Sequence, residues 1–129
     1  MVGDNLTREI PLDEGDNMKK MSLTALAREQ VASAERASSG RAAHTVFGGH
    51  EHVLRQTVIA LVAGQTLAEH NNPGEATVHV LNGRVRLTAG EDAWEGSTGD
   101  LIIVPDSSHA LEAIETSTIL LTVAKIPAP

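Results

Sequence analysis

Two blocks of sequence decide the fold of this chain: G-Q-T-L-A-E-H-N-N-P-G-E-A-T-V-H-V-L-N-G (Gly64–Gly83) and G-D-L-I-I-V-P-D-S-S-H (Gly99–His109). In the first block, His70 and Asn72 stand two positions apart, and residues with that spacing in a strand share one face. In the second block, His109 opens another strand after a turn that contains Pro105. The pattern predicts that His70, Asn72 and His109 converge at the mouth of a β-barrel, where small ligands usually bind.

The dipeptide Asn82-Gly83, at the end of the first block, predicts a two-residue type I′ hairpin, because both central residues of that turn need positive φ. Counting outward pairs Leu81 with Arg84, Val80 with Val85, His79 with Arg86 and Val78 with Leu87. The predicted inner face carries Ala76, Val78, Val80, Val85 and Leu87. His79 is expected on the outer face beside Arg86, which removes it from the candidate barrel ligands.

The chain divides into three parts. Residues 1–20 are rich in Asp, Glu, Asn and Gly and predict a flexible arm. Residues 21–40 predict one helix, with Ser22 as its N-cap and Gly40 as its stop, lying against the outside of a sheet or a neighbouring subunit. Residues 41–126 predict β segments at about 43–47, 51–62, 66–72, 76–81, 84–88, 92–95, 101–104, 109–114 and 118–124. Many short strands with close turns predict an all-β sandwich or barrel.

The two blocks resemble the paired motifs of small single-domain bacterial cupins, G-x5-H-x-H-x3,4-E-x6-G and G-x5-P followed by His, over residues 41–126. The resemblance implies an all-β, cupin-type jelly-roll β-barrel in which both motifs line one end. Metal-binding members of the family hold one iron, manganese, nickel or zinc ion with two histidines and a glutamate of the first motif and the histidine of the second. The corresponding positions here are His70, Asn72, Ala76 and His109.

The donor set that the resemblance implies is degenerate. Two neutral imidazoles and an amide oxygen bring no anion to offset a divalent ion, and the facial arrangement that suits non-haem iron is lost with the carboxylate. Glu75 adjoins the missing position, but strand alternation turns it away unless a bulge intervenes. We expect at most one divalent transition metal (Fe, Zn, Ni or Mn), weakly bound by His70, Asn72 and His109. The alternative is a metal-free pocket in which His70 and His109 make hydrogen bonds.

A further ligand contact depends on which face of the segment 51–62 is inside. Alternation puts Arg55 and Gln56 on opposite faces, and both faces carry apolar residues, so the pattern leaves the choice open. If Gln56 points inward, it is a natural polar contact for a bound ligand.

Other histidines and the tryptophan are weaker candidates. His50 and His52 imitate a metal-binding pair, but they follow the Gly48-Gly49 turn and are expected at the surface. His44 has no partner in sequence and is also expected to be satisfied or exposed. Trp94 is expected to cap one end of the barrel or to fill a dimer interface, and the interface or packing role is favoured.

Composition narrows the class of protein. A chain of 129 residues suits one domain, and the absence of cysteine excludes disulfides and thiolate metal sites. No apolar window predicts a membrane span or a secretory signal, so a cytoplasmic location is expected. Two properties argue against nucleic-acid binding. The formal charge of −7 repels phosphate backbones, and Phe47 and Trp94 are the only aromatic residues on which bases could stack. A small-molecule ligand and a homodimeric partner are expected, since similar cupins pair through sheet edges.

Three hypotheses of function remain open at this stage. The first is a small-molecule-binding cupin with a weak or absent metal site that acts as a sensor, carrier or accessory protein. The second is a metal-dependent cupin enzyme, a dioxygenase, isomerase or lyase that acts on a small oxygen-rich substrate. The third is a structural or regulatory homodimer without a ligand.

Overall fold

The computed structural model describes residues 18–70 and 74–125, so the predicted arm of residues 1–20 lies almost wholly outside it. The elements are α1 (Leu23–Arg36), β1 (Arg41–Phe47), β2 (Leu54–Leu61), β3 (Thr66–His70), β4 (Gly74–Asn82), β5 (Arg84–Ala89), β6 (Asp92–Ser97), β7 (Leu101–Ile103), β8 (His109–Ala113) and β9 (Ser117–Lys125). The prediction of an all-β domain preceded by one helix is confirmed.

Helix α1 begins at the predicted cap. The Ser22 hydroxyl accepts a hydrogen bond from the Ala25 N–H at 3.1 Å, which satisfies one of the otherwise unpaired amides of the first turn. The helix ends at Arg36 rather than at Gly40, which instead takes a φ of 69° and makes the turn into β1. The helix packs on β1 and β2, and Ala34 on its inner side is fully buried. In the described part of the chain, no helix has the length and apolarity needed to cross a bilayer.

The strands form two antiparallel sheets that enclose one core. The five-stranded sheet has the order β1-β2-β9-β4-β7, and the four-stranded sheet has the order β3-β8-β5-β6. The buried core between them consists of Ile59, Leu61, Ala76, Val78, Val80, Val85, Leu87, Ile102, Val104, Leu111, Ala113, Ile119 and Val123. Both sheets contribute alternate residues to this cluster, which is the pattern expected of strands with one buried face.

The hairpin predicted at Asn82-Gly83 is wrong. Strand β4 pairs with β9 and β7, whereas β5 pairs with β8 and β6, so the chain crosses from one sheet to the other at Gly83. Gly83 has the positive φ that the dipeptide indicated, 100°, but its N–H donates to the Thr98 hydroxyl instead of closing a two-residue turn. His79 and Arg86 therefore lie in different sheets and are not neighbours across a ladder.

The inner face predicted from the same turn is nevertheless correct. Its five residues, Ala76, Val78, Val80, Val85 and Leu87, are all buried in the core. A chain that crosses to the facing sheet keeps its inward side inward, just as a hairpin keeps one side on one face. The assignment of faces therefore survived the error in strand pairing.

Candidate functional site

His109 is the buried polar residue at one end of the core. It opens β8, where His109, Leu111 and Ala113 alternate inward, and only 5% of its surface is exposed. Its Nδ1 lies 2.9 Å from the carbonyl oxygen of Ser107. Because a carbonyl oxygen accepts, Nδ1 carries the proton and donates, and the lone pair of the neutral ring lies on Nε2. This is the arrangement in which backbone hydrogen bonding orients an imidazole for ligation.

His70 is brought opposite His109 by an irregularity in the ladder between β3 and β8. Leu67 pairs with Leu111 and His70 pairs with His109, so three steps along β3 match two steps along β8. The extra residue sets the backbone of His70 directly across from that of His109.

Asn72, the third predicted metal ligand, lies outside the described residues. The structure therefore brings together the backbone positions of His70 and His109 and leaves the predicted convergence with Asn72 as a prediction. The described region contains no group of three or more His, Cys, Asp or Glu side chains that could hold a metal ion.

Position 76, which the family resemblance aligns with a glutamate ligand, belongs to the hydrophobic core. Ala76 is 5% exposed and pairs with Val123. Glu75 pairs with Ala124 and is exposed on the opposite face of β4. The register runs without a break from Lys125 to Ile119, so no bulge turns Glu75 inward. These residues therefore supply no carboxylate at the position aligned with the glutamate.

The face of β2 is settled by its packing. Ile59 and Leu61 belong to the core, and the β2–β9 register is continuous, so Arg55 shares their face and Gln56 lies on the other. Gln56 donates from Nε2 to the Thr122 hydroxyl at 3.2 Å on the outer side of the sheet. The condition for a Gln56 contact inside the barrel is therefore not met, and the residue of this pair on the core face is Arg55.

The sequence left this choice open for a physical reason. Val58 and Ala60, on the outer face of β2, are fully buried. Helix α1 packs on this strand, so both faces of β2 are apolar over the same stretch. Hydrophobicity alone then carries no information about which face is inside the barrel. A prediction of where the helix lies along the sheet would have resolved it.

A second cation shares the core face of the five-stranded sheet. Lys125 pairs with Gly74 at the end of β9, in alternation with the core residues Ile119 and Val123. Its ammonium group donates to the Gly49 carbonyl oxygen at 2.9 Å, which holds the side chain against the β1–β2 turn. The sequence pattern did not single out this residue, because a lysine at a strand end is usually solvated.

The remaining predicted candidates are not among the buried residues of the core. His50 and His52 are exposed in the β1–β2 turn, where the His52 ring packs on Phe47 with ring centroids 5.0 Å apart, and His44 is exposed on β1. Trp94 lies on the edge strand β6, where it pairs with the core residue Leu87 of β5 and is about half exposed. It therefore lies on the core side of that edge, in keeping with a capping or interface position.

Comparisons with known proteins identify similar structures. No family model matches the chain, and no curated protein matches it. SPY1581, a conserved protein of unknown function from Streptococcus pyogenes, is 30% identical with a TM-score of 0.64, over 71% of this chain and 80% of that one. A cupin superfamily protein from Desulfitobacterium hafniense is 14% identical with a TM-score of 0.61, over 95% and 97% of the two chains. KdgF from Halomonas sp. is 18% identical with a TM-score of 0.54, over 67% and 82%.

Proposed function

We propose that this chain, which has the fold of cupin superfamily proteins, binds a small molecule at the barrel end marked by His109. In this proposal it acts as a sensor, carrier or accessory protein, with a metal site that is weak or absent. One observation carries the proposal: a buried, oriented imidazole stands opposite a second histidine position, while the aligned acidic position is alanine.

The imidazole of His109 supports ligand binding because a backbone hydrogen bond fixes its orientation and tautomer. The Ser107 carbonyl accepts from Nδ1, which fixes the orientation of the ring and leaves Nε2 as the nitrogen that carries the lone pair. His109 shares the inward side of β8 with Leu111 and Ala113, so it stands at the end of an apolar row. Retaining it at the end of an apolar strand face favours a role in recognition.

The electrostatics of the site argue against tight metal binding. A divalent ion held by His70, Asn72 and His109 would meet two neutral rings and a neutral amide, with Ala76 where a carboxylate would stand. We propose that any ion, Fe, Zn, Ni or Mn, is a single one and is bound weakly. When bound, such an ion would supply Lewis-acid polarisation of a ligand oxygen.

Metal analysis tests this proposal directly. Untagged protein, purified from medium supplemented with iron, zinc, nickel and manganese, is expected to carry well under one equivalent of any ion. Mass spectrometry should instead show that the native protein is heavier than the mildly denatured protein by the mass of a small organic ligand. A stoichiometric ion that survives dialysis would contradict the weak-site proposal.

A metal-dependent cupin enzyme is the second candidate, favoured by the oriented His109 ring. The reaction would be of the dioxygenase, isomerase or lyase type on a small oxygen-rich substrate. His109 would orient the substrate or ligate the ion, and the apolar walls formed by Leu111 and Val123 would exclude water. His109→Ala should then abolish both metal uptake and turnover, whereas turnover retained by the variant would remove the metal from the mechanism.

A homodimer is the third candidate, and the outer face of the five-stranded sheet supports it. Two rows cross this face, His44–Val58–Leu120–His79–Leu101, in which Val58 is already buried in the monomer, and Phe47–Gln56–Thr122–Thr77–Ile103. Neither row contains Asp, Glu, Lys or Arg, although the chain has a formal charge of −7. Leu101 and Ile103 are 59% and 70% exposed there, and depletion of charge is typical of interface cores.

The homodimer proposal is tested by light scattering over a range of protein concentrations. Ile103→Lys puts a charge on the neutral rows and should shift the equilibrium towards monomer, whereas Val53→Lys changes an exposed valine that lies outside both rows. A wild-type protein that stays monomeric at high concentration would contradict this candidate.

A further inference from the structure

The charges on the core face of the barrel are unevenly distributed. The core-facing positions of the five-stranded sheet beyond the hydrophobic cluster include Arg55 on β2 and Lys125 on β9, at the end of the sheet that carries Ala76. No described core-facing position at that end of the five-stranded sheet is an aspartate or glutamate. A protein whose formal charge is −7 thus presents two cations and no anion on this inner surface.

Arg55 stands in the same cross-strand row as the missing acid. It pairs with Val123, and Val123 pairs with Ala76, so Arg55 and Ala76 are two strands apart on one face. Neighbouring strands are about 4.8 Å apart, which puts the two Cα atoms about 10 Å from each other. An arginine side chain can extend over the small Val123 and Ala76 side chains across that distance. Within residues 18–70 and 74–125, the Arg55 side chain makes no hydrogen bond or ion pair.

Lys125 is fixed nearby. It lies two residues beyond Val123 on β9, about 7 Å along the strand, and its ammonium group is held by the Gly49 carbonyl at 2.9 Å. One donor of an ammonium group is used in that contact, and two N–H donors remain for another acceptor. The lysine is half buried, which strengthens its interaction with an opposite charge compared with a fully solvated pair.

The described carboxylates at this end of the barrel lie outside the core face of the five-stranded sheet. Asp92 pairs with Ala89, in alternation with the Leu87–Trp94 pair on the core side, but it is exposed on the edge strand of the four-stranded sheet, three strands from β3. Glu51 and Asp106 are exposed in the loops that follow β1 and β7, and Glu75 is exposed on the outer face. In metal-binding cupins a carboxylate would occupy the position of Ala76. With alanine there, the row that contains Arg55 contributes positive charge without its own counter-ion.

We infer that the barrel end formed by Arg55, Lys125 and His109 recognises a small oxyanion, the carboxylate or phosphate group of the ligand, with Arg55 as the principal anchor. This inference rests on the proposed function, because it names the class of ligand for the same site. The planar guanidinium donates two parallel hydrogen bonds to a carboxylate or phosphate, and Lys125 adds a point charge. The ligand supplies the negative charge that the chain omits at position 76, and His109 contributes a buried polar ring at the same end.

Matched charged and neutral probes test this inference on the full chain. ¹⁵N-labelled protein is titrated with malonate, with malonamide and with inorganic phosphate, and the amide shifts of Ala76, Val123 and His109 are followed. Malonate or phosphate is expected to shift these amides saturably, whereas malonamide, which has the same skeleton without the charge, should leave them in place. The comparison of malonate with phosphate distinguishes a carboxylate ligand from a phosphorylated one.

Three variants locate the anchor. Arg55→Gln is expected to raise the dissociation constant of the anionic probe about tenfold, the usual size of the loss of a charge-assisted hydrogen bond. Arg55→Lys, which retains the charge and loses the planar fork, should give a smaller increase. Arg36→Gln removes the same charge from the last turn of α1, on the outside of the sheet, and should leave binding unchanged. A thermal unfolding curve checks that each variant is folded.

The outcomes separate this inference from the proposed function. If malonamide binds at His109 as well as malonate does, the barrel binds small molecules and the oxyanion inference is overturned. If Arg36→Gln weakens the anion as much as Arg55→Gln does, the effect is one of overall charge and the inference is again overturned. If no probe shifts the amides around His109 at any concentration, both the inference and the proposed function are contradicted.

Discussion

The two ends of the barrel use the same alternation of strand faces for different purposes. At the closed end, where the chain crosses between sheets at Gly83, the inward residues are the buried apolar Leu61, Val80, Val85, Ala113 and Ile119, together with the buried Ser117, whose hydroxyl donates to backbone carbonyls. At the other end, which we call the mouth end, the inward positions include His109, Arg55 and Lys125. Packing and recognition are thus divided along the strands: the inward residues in the middle pack the core, and polar inward residues at the strand ends are available for ligand recognition.

Removing volume from the core tests this division most strongly. Leu87 is 1% exposed and packs in the middle of the core, so Leu87→Ala should lower the free energy of unfolding by about 2–5 kcal/mol. Ile103→Ala, which truncates a side chain that is 70% exposed, should cost less than about 1 kcal/mol. Urea unfolding of both variants measures the difference. Equal losses would mean that the core does not stabilise the fold as its burial indicates.

The crossing at the closed end has a second test in its glycine. Gly83 has a φ of 100°, and a Cβ placed on it would stand 2.6 Å from the Thr116 carbonyl oxygen. Gly64 has a φ of 90° with nothing within 4 Å of such a Cβ. Gly64→Ala should therefore lower the free energy of unfolding by about 1 kcal/mol through backbone strain alone. Gly83→Ala should lower it by about 2 kcal/mol more, because Thr116 must also move. Similar losses of stability for both variants would contradict the close approach at the crossing.

Gly83 also illustrates how far the sequence predicts the fold. The dipeptide Asn82-Gly83 signalled positive φ correctly, and the alternation on either side signalled which residues are buried. The strand partners were not predictable, because β4 and β5 each found two other strands whose positions depend on the whole topology. Local patterns thus determined faces, and non-local pairing determined neighbours.

The site shows the same limit in its detail. The spacing of His70 and His109 in the family motifs predicted two positions that the ladder places opposite each other. Their register depends on a bulge in β3. No Gly, Pro or Asn within Ala68-Glu69 indicates that bulge in the sequence. The choice between Arg55 and Gln56 depends on helix α1 covering the outer face, which is a tertiary fact that single-strand alternation does not contain.

Restoring an acid at the mouth end sharpens the comparison. Ala76→Glu places a carboxylate in the row of Arg55 and at the position aligned with the glutamate ligand. A negative ligand should raise the affinity for Zn²⁺ or Mn²⁺ at least about tenfold, and it should weaken binding of anionic probes by pairing with Arg55. Isothermal titration calorimetry with each ion measures the first effect.

The matched control for that variant is Ala124→Glu. It adds the same charge on the outer face, where Ala124 pairs with Glu75, and should leave metal affinity unchanged. An equal gain of affinity in both variants would mean that ions are attracted by overall charge and not by the mouth end.

The smallest effect is expected outside both ends, on the outer face of the four-stranded sheet. Arg86 donates hydrogen bonds to the Glu95 carboxylate, and this contact lowers the pKa of Glu95 below its ordinary value of 4.5. A lowered pKa in the folded state means that the contribution is present at neutral pH and is lost as the pH falls from about 4.5 through the lowered pKa. Both groups are solvated, so the pair adds little to stability. The free energy of unfolding of Glu95→Gln, measured in urea, should therefore be slightly lower than that of the wild type at pH 7 and equal to it at pH 2. A large difference at pH 7 would contradict the small contribution expected of a solvated pair.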